Sequence, residues 1–299
     1  MFVYLIKNIM KNYIVGLFSI LLTLNVSAQD DETSNFRFGI LGLGSVDWLV
    51  PDNDKKFTSG GVGLGYGWGL QTEFKLNAKT SLRTGISMMT SSGSLNYADN
   101  NISFDSACYV LNVDEEFVEW DDAFDQNNDL SAGNQMYLLK SRSMKMSYVN
   151  IPLALKMKTN EIGYLTWFAE FGANFGFNTK TRTNDICDYV DYDPVTSEFS
   201  LTSAPGGLSS DVTKENLNLD RGTQPVKTGI LIGIGGEFNF SGSTSLFFAG
   251  HFNYDISNAI TTEKREDFLR TRNIYSDNFE NVGAKSTFRN IRLTVGIIF

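Results

Sequence analysis

One histidine, two cysteines, an acidic run and seven charges at alternating positions could do chemistry in this 299-residue chain. His251 could serve as a general base, because imidazole exchanges a proton near neutral pH. A lone His excludes zinc motifs that need two, such as H-E-x-x-H. The next polar residues in phase with it are Asn253 and Asp255, which suits a structural hydrogen bond better than catalysis. Cys108 and Cys187 exclude a four-Cys zinc site and form no C-x-x-C motif. One bridge between them and two free thiols both fit the sequence. Asp125-x-Asn127-x-Asp129 begins like a calcium loop, but Leu130 stands at the Gly position and Met136 at the bidentate Glu position. Asp121, Asp125 and Asp129 are the calcium candidates, and no cofactor is expected. The Gly61–Gly69 run matches neither phosphate-binding glycine pattern.

Composition narrows the scaffold. A pI near 4.7 argues against nucleic acid, which rewards clustered Lys and Arg. The acid is concentrated. Asp99, Asp105, Asp114, Glu115, Glu116, Glu119, Asp121, Asp122, Asp125 and Asp129 fall between 99 and 135, with no Lys or Arg among them. The interleaved Val110, Leu111, Phe117, Val118, Trp120 and Phe124 suggest that this segment packs on something rather than only hydrating.

The elements that must position these residues alternate with period two. In Val62 to Leu76 every second residue is apolar or Thr, and the others are Gly, Gln71, Glu73 and Lys75. A strand separates these sets and a helix does not. The same alternation marks strands at 36–40, 82–88, 149–157, 165–177, 230–240, 246–256 and 291–299. Short turns near 77–80, 159–162 and 241–243 alternate with long polar segments near 50–60, 97–140, 181–225 and 258–284. This is the layout of an all-β, up-and-down antiparallel transmembrane β-barrel with short periplasmic turns and long extracellular loops. Eight strands are expected, and ten remain open because the 181–225 segment could extend the barrel.

One strand face carries Arg37, Glu73, Arg83, Lys156, Glu170, Glu237 and Arg292. In a soluble, lipocalin-like barrel these would face water. In a membrane barrel they face the lumen, and opposite charges pair there while glycines make room. Trp48, Tyr164, Trp167 and Phe240 fall near strand ends, where interfacial girdles sit. Met1 to Ala28 reads as a cleaved signal: Lys7 and Lys11, the apolar core Tyr13 to Leu24, then Val26-Ser27-Ala28. The mature barrel domain would be 29–299. Its loss of two Lys and no acid would move the net charge from −9 to −11.

Ser147-Tyr-Val-Asn-Ile-Pro-Leu-Ala-Leu-Lys156 resembles the Y-x-x-I-P-L-x-x-K strand of PorT-like outer-membrane β-barrels of Bacteroidota. Leu70 to Ile86 resembles the hairpin before it. Leu293-Thr-Val-Gly-Ile-Ile-Phe299 is similar to a C-terminal strand read by the barrel-assembly machinery. The resemblance implies the cell outer membrane, contact with its lipid, and a role as an accessory of secretion or gliding motility. The leading expectation is a structural and interaction scaffold that binds an envelope protein and is not an enzyme. A small transport pore and a lipid-modifying barrel enzyme are the alternatives.

Overall fold

The computed structural model describes residues 35–52, 57–97, 107–118, 133–193, 198–202, 211–241, 244–260, 269–272, 279–281 and 285–299. Eight long strands form a ring: β1 Phe36–Pro51, β2 Phe57–Lys75, β3 Thr80–Tyr97, β5 Gln135–Lys158, β6 Leu165–Asp193, β9 Val226–Ser241, β10 Thr244–Asp255 and β13 Ser286–Ile298. The ring closes where β1 meets β13 antiparallel, from Gly39 opposite Ile298 to Pro51 opposite Ser286. Among the described residues, five short strands lie outside it: β4 Cys108–Leu111, β7 Glu198–Thr202, β8 Val212–Asn218, β11 Arg270–Arg272 and β12 Phe279–Asn281. Eight strands close the barrel, so the ten-strand alternative is set aside.

The ring is inside-out. Leu64 is 74% exposed, Ile234 71% and Leu293 66%, whereas Lys156 is 0% exposed and Glu170 2%. No water-facing surface would be built this way. Apolar side chains on the outside and charges within fit a hydrocarbon solvent, where a closed ring also satisfies the strand N–H and C=O groups.

A lipid-spanning strand needs about 9–11 residues, yet β5 has 24 and β6 has 29. The excess projects at the loop end, and there the pattern inverts. On β5, Ile151, Leu153, Leu155 and Met157 point outward beneath the boundary, while Asn150 and Lys156 point inward. Above it, Ser143, Lys145 and Ser147 point outward, and Met144, Met146 and Tyr148 point inward. One continuous strand therefore passes from a membrane pattern to a soluble pattern near Ser147–Val149.

The segments at 97–140, 181–225 and 258–284 are consequently not all loop. β4 pairs with β5 beyond the reach of β3, and β11 and β12 continue from β4. β8 and then β7 take the place of β9 beside β6. These pieces make a crown. Its core gathers Leu49, Leu95, Tyr97, Tyr109, Leu111, Leu139, Met144, Met146, Cys187, Leu217 and Phe288.

Candidate functional site

The lumen is filled in layers. At the turn end, Phe168 and Phe247 stack with centroids 5.1 Å apart, with Leu41, Ala249 and Ile298 around them. The Lys156 ammonium lies 4.2 Å from the Phe168 ring centre and 4.8 Å from that of Phe247. It donates to both Glu73 and Glu237. Arg37 reaches Glu237 at 2.6 Å, and Lys158 lies 3.1 Å from each carboxylate. Gln71 Nε2 donates to Glu73 at 2.7 Å. Three cations thus share two acids over an aromatic floor.

The middle layer centres on Glu170. Its Oε2 lies 2.7 Å from Arg83 Nη2 and 3.0 Å from His251 Nε2. His251 Nδ1 is 3.4 Å from Thr294 Oγ1. Arg292 Nη2 donates to Asn253 Oδ1 at 3.1 Å, and Asn253 donates to Asn290 at 2.8 Å. A Cβ on Gly233 would overlap the His251 ring, so the close approach depends on that glycine.

A carboxylate, an imidazole and a hydroxyl in series could in principle activate the Thr294 oxygen. The cleft lined by Gln71, Arg83, His251, Arg292 and Thr294 holds about 20 Å³, room for about one water molecule.

In the upper layer Lys227 pairs with Asp255 at 2.8 Å and lies 4.2 Å from the Tyr148 ring centre. Asp47 accepts from Ser45 Oγ at 2.8 Å and from the Ser92 amide at 3.1 Å. A Cβ on Gly176 would come 2.7 Å from Lys227 Cγ, so the glycine leaves the lysine its path. Above this, the buried Arg142 clamps Asp185 with two bonds, Nε at 2.8 Å and Nη2 at 2.6 Å. Its guanidinium lies over Tyr109 and Phe117 at 5.4 and 5.3 Å.

Residues 19–261 match the family described as "Outer membrane protein beta-barrel domain". The chain belongs to this family. It is therefore an outer-membrane barrel: the turn end is periplasmic and the crown is extracellular. A search of curated proteins finds no match. Among solved structures, the barrel is similar to OprG of Pseudomonas aeruginosa, at 8% identity over 89% of this chain and 96% of that one, TM-score 0.39. It is similar to Neisserial surface protein A, at 11% identity over 90% and 98%, TM-score 0.34. It is also similar to Ail, the attachment invasion locus protein of Yersinia pestis, at 10% identity over 89% and 100%, TM-score 0.30.

All seven charges chosen from the sequence point into this barrel, and Lys158, Lys227, Asp47 and Asp255 join them. Lys158 shares the phase of Lys156, which the sequence could have shown. Asp185 lies in the 181–225 segment expected to be loop, and Arg142 lies between the 97–140 segment and the strand expected at 149–157. Tyr164, Phe238 and Phe240 form an exposed aromatic cluster at the periplasmic rim, and the exposed Trp167 packs edge-on against Phe248. Trp48 is half-buried near the other rim. Asp121, Asp125 and Asp129 lie outside the described residues. Asp114 and Glu116 belong to a turn whose amides donate to Asn112 Oδ1 at 3.0 and 2.9 Å. Glu115 ties that turn to Lys214 of β8 at 2.7 Å.

The bridge between Cys108 and Cys187 is not made, and both are buried thiols. Cys108 stands opposite Leu138 and Cys187 opposite Leu139. Successive residues of β5 point to opposite faces, so the two sulfurs lie on opposite sides of one sheet.

Burial pushes the Cys108 thiol from 9.0 up to about 12, and the Cys187 thiol up to about 11. Burial likewise raises the Tyr97 phenol from 10.0 to about 12. Unfolded thiols lose protons near pH 9 while the folded ones keep theirs. Their contribution to crown stability is therefore complete below pH 9 and is lost as pH rises towards 11–12. A membrane-impermeant maleimide should label neither Cys at pH 8 and both after denaturation. Crown opening should become easier above pH 9. Fast labelling at pH 8 would show the crown open.

Proposed function

We propose that this barrel is a non-conducting, non-catalytic scaffold of the outer membrane that presents its folded crown to another envelope protein. The filled lumen carries the reading. Ion clusters, an aromatic floor and an apolar crown core occupy the path a solute would take. A one-water cleft beside His251 gives no room for a lipid or peptide substrate. The long crown is material that a simple lipid anchor does not need.

The Ser147–Lys156 string supports a place among PorT-like barrels of Bacteroidota, and with it an accessory role in secretion or gliding motility. In this reading the leader Met1 to Ala28 is removed, and the strand ending at Phe299 engages the barrel-assembly machinery.

The test has two arms. In planar bilayers the folded protein should give no stable single-channel current, and steady conductance would favour the pore. For the partner, residues 119–132 are replaced by a short Gly-Ser linker. Deleting all of 99–135 would be misleading, because Tyr109 and Leu111 sit in the crown core. The linker variant should keep the barrel's heat-modifiable gel shift but lose specific envelope proteins that co-purify with wild type. Unchanged co-purification would remove that segment as the docking element.

A further inference from the structure

We propose that the outer wall of β5 and β6, immediately past the lipid-facing band, binds the phosphate groups of the outer-leaflet glycolipid. Val149 opposite Phe177 and Ile151 opposite Phe175 form the top of the apolar band here, and Phe175, Phe177 and Ile151 are exposed. The next outward positions change chemistry at once. Ser147 stands opposite Lys180, and Lys145 stands opposite Arg182. On the neighbouring strand Thr90 lies opposite Ser147 and Ser92 opposite Lys145, with Thr90 Oγ1 3.1 Å from Ser147 Oγ. Ser147 and Val149 are two residues apart, about 7 Å along a strand. The cations therefore sit at headgroup height, and lysine stems can lie along the wall with their ammonium groups among the headgroups.

The pairing state of these cations sets them apart. Elsewhere on the crown surface Lys140 is held by Asp188 and Asp211, and Lys214 by Glu115. Among the described residues neither Lys145 nor Lys180 has a carboxylate partner, in a chain with nine more acids than bases. Arg182 is already oriented: Nη1 donates to Thr181 O at 2.6 Å, Asn218 Oδ1 at 2.9 Å and Asp220 Oδ1 at 3.0 Å. Those bonds all use Nη1, which leaves Nε and Nη2 for a two-pronged contact to phosphate. Three cations, one carboxylate and a row of hydroxyls match a phosphorylated sugar headgroup whose acyl chains lie on the apolar band below.

Each Lys or Arg beside an anionic lipid surface is worth about fivefold in binding. The test refolds the full barrel in neutral detergent and counts bound diphosphoryl lipid A by native mass spectrometry. The triple variant Lys145→Gln, Lys180→Gln, Arg182→Gln should retain at least about tenfold less than wild type. Lys75→Gln with Lys79→Gln, exposed at the periplasmic end, should retain as much as wild type. Dephosphorylated lipid A should bind wild type and triple variant alike and weakly, and inorganic phosphate should not displace the lipid. Equal retention by wild type and triple variant overturns the proposal, as does an equal loss in the periplasmic-end variant. Full displacement by inorganic phosphate overturns it too, because the site would then take free anion. Should the triple variant fail to fold, Lys145→Gln and Lys180→Gln alone, at exposed positions, should each lower retention several-fold.

Discussion

Glu170→Gln is expected to cost the folded barrel about 3–5 kcal/mol, the range for removing one partner of a buried ion pair. Glu170 is the carboxylate that touches both Arg83, at 2.7 Å, and His251, at 3.0 Å. Gln keeps the size and can still accept one hydrogen bond, so packing changes little. What disappears is the negative charge in a layer that also holds the buried Arg292. The other lumen acids are engaged elsewhere: Glu73 and Glu237 hold Lys156, Lys158 and Arg37, Asp255 holds Lys227, and Asp47 accepts from Ser45 and the Ser92 amide. Urea unfolding in lipid vesicles, followed by Trp fluorescence and by the gel shift, measures the loss as a lower midpoint. The double variant Arg83→Met, Glu170→Leu should recover part of it, since removing both charges leaves no unpaired partner behind. A single variant within about 0.5 kcal/mol of wild type would mean that water, not Glu170, solvates the guanidiniums. The lumen would then be wetter than the proposed non-conducting scaffold allows.

The lower barrel was legible because lipid sharpens the code. Ile151, Leu153, Leu155 and Met157 must all face hydrocarbon, so the residues between them declare the lumen, and Lys156 falls out by phase alone. His251 was placed by the same phase between Phe252 and Gly250. Legibility failed where the pattern inverts. Ser143, Lys145 and Ser147 look like loop residues when an apolar outer face is sought, yet they are the wet side of a strand whose dry side is Met144, Met146 and Tyr148. Arg142 and Asp185 were missed for that reason. So was the sidedness of Cys108 and Cys187, which depends on a register between β4, β5 and β6 that spacing in the chain does not encode. The floor formed by Phe168 and Phe247 also needed the fold, since apolar residues at inward positions break the simple two-face rule.

Arg142→Met should separate the crown from the ring. Arg142 and Asp185 are both buried, joined by two charge-assisted bonds of 2.8 and 2.6 Å, with Tyr109 and Phe117 covering the guanidinium. Met fills much of the same volume but leaves the Asp185 carboxylate in an apolar core. The expected cost is again about 3–5 kcal/mol, spent locally, because local openings draw on the least stable cooperative unit. The ring is closed lower down by β1 against β13 and by β6 against β9, none of which uses this pair. The variant should therefore keep its heat-modifiable gel shift while maleimide reaches Cys108 and Cys187 at pH 8 and proteases cut the crown. Asp185→Leu alone should do the same, because it strands the cation instead. Arg142→Met with Asp185→Leu should close the crown again, since neither charge is then left alone among Tyr97, Tyr109 and Leu139. If ring and crown melt together in the single variants, the crown is part of the barrel's own folding unit. In that case lost partner binding in them could not be assigned to the surface. If only the crown opens, the same variants tell whether the proposed envelope partner reads its folded shape or merely its acidic segment.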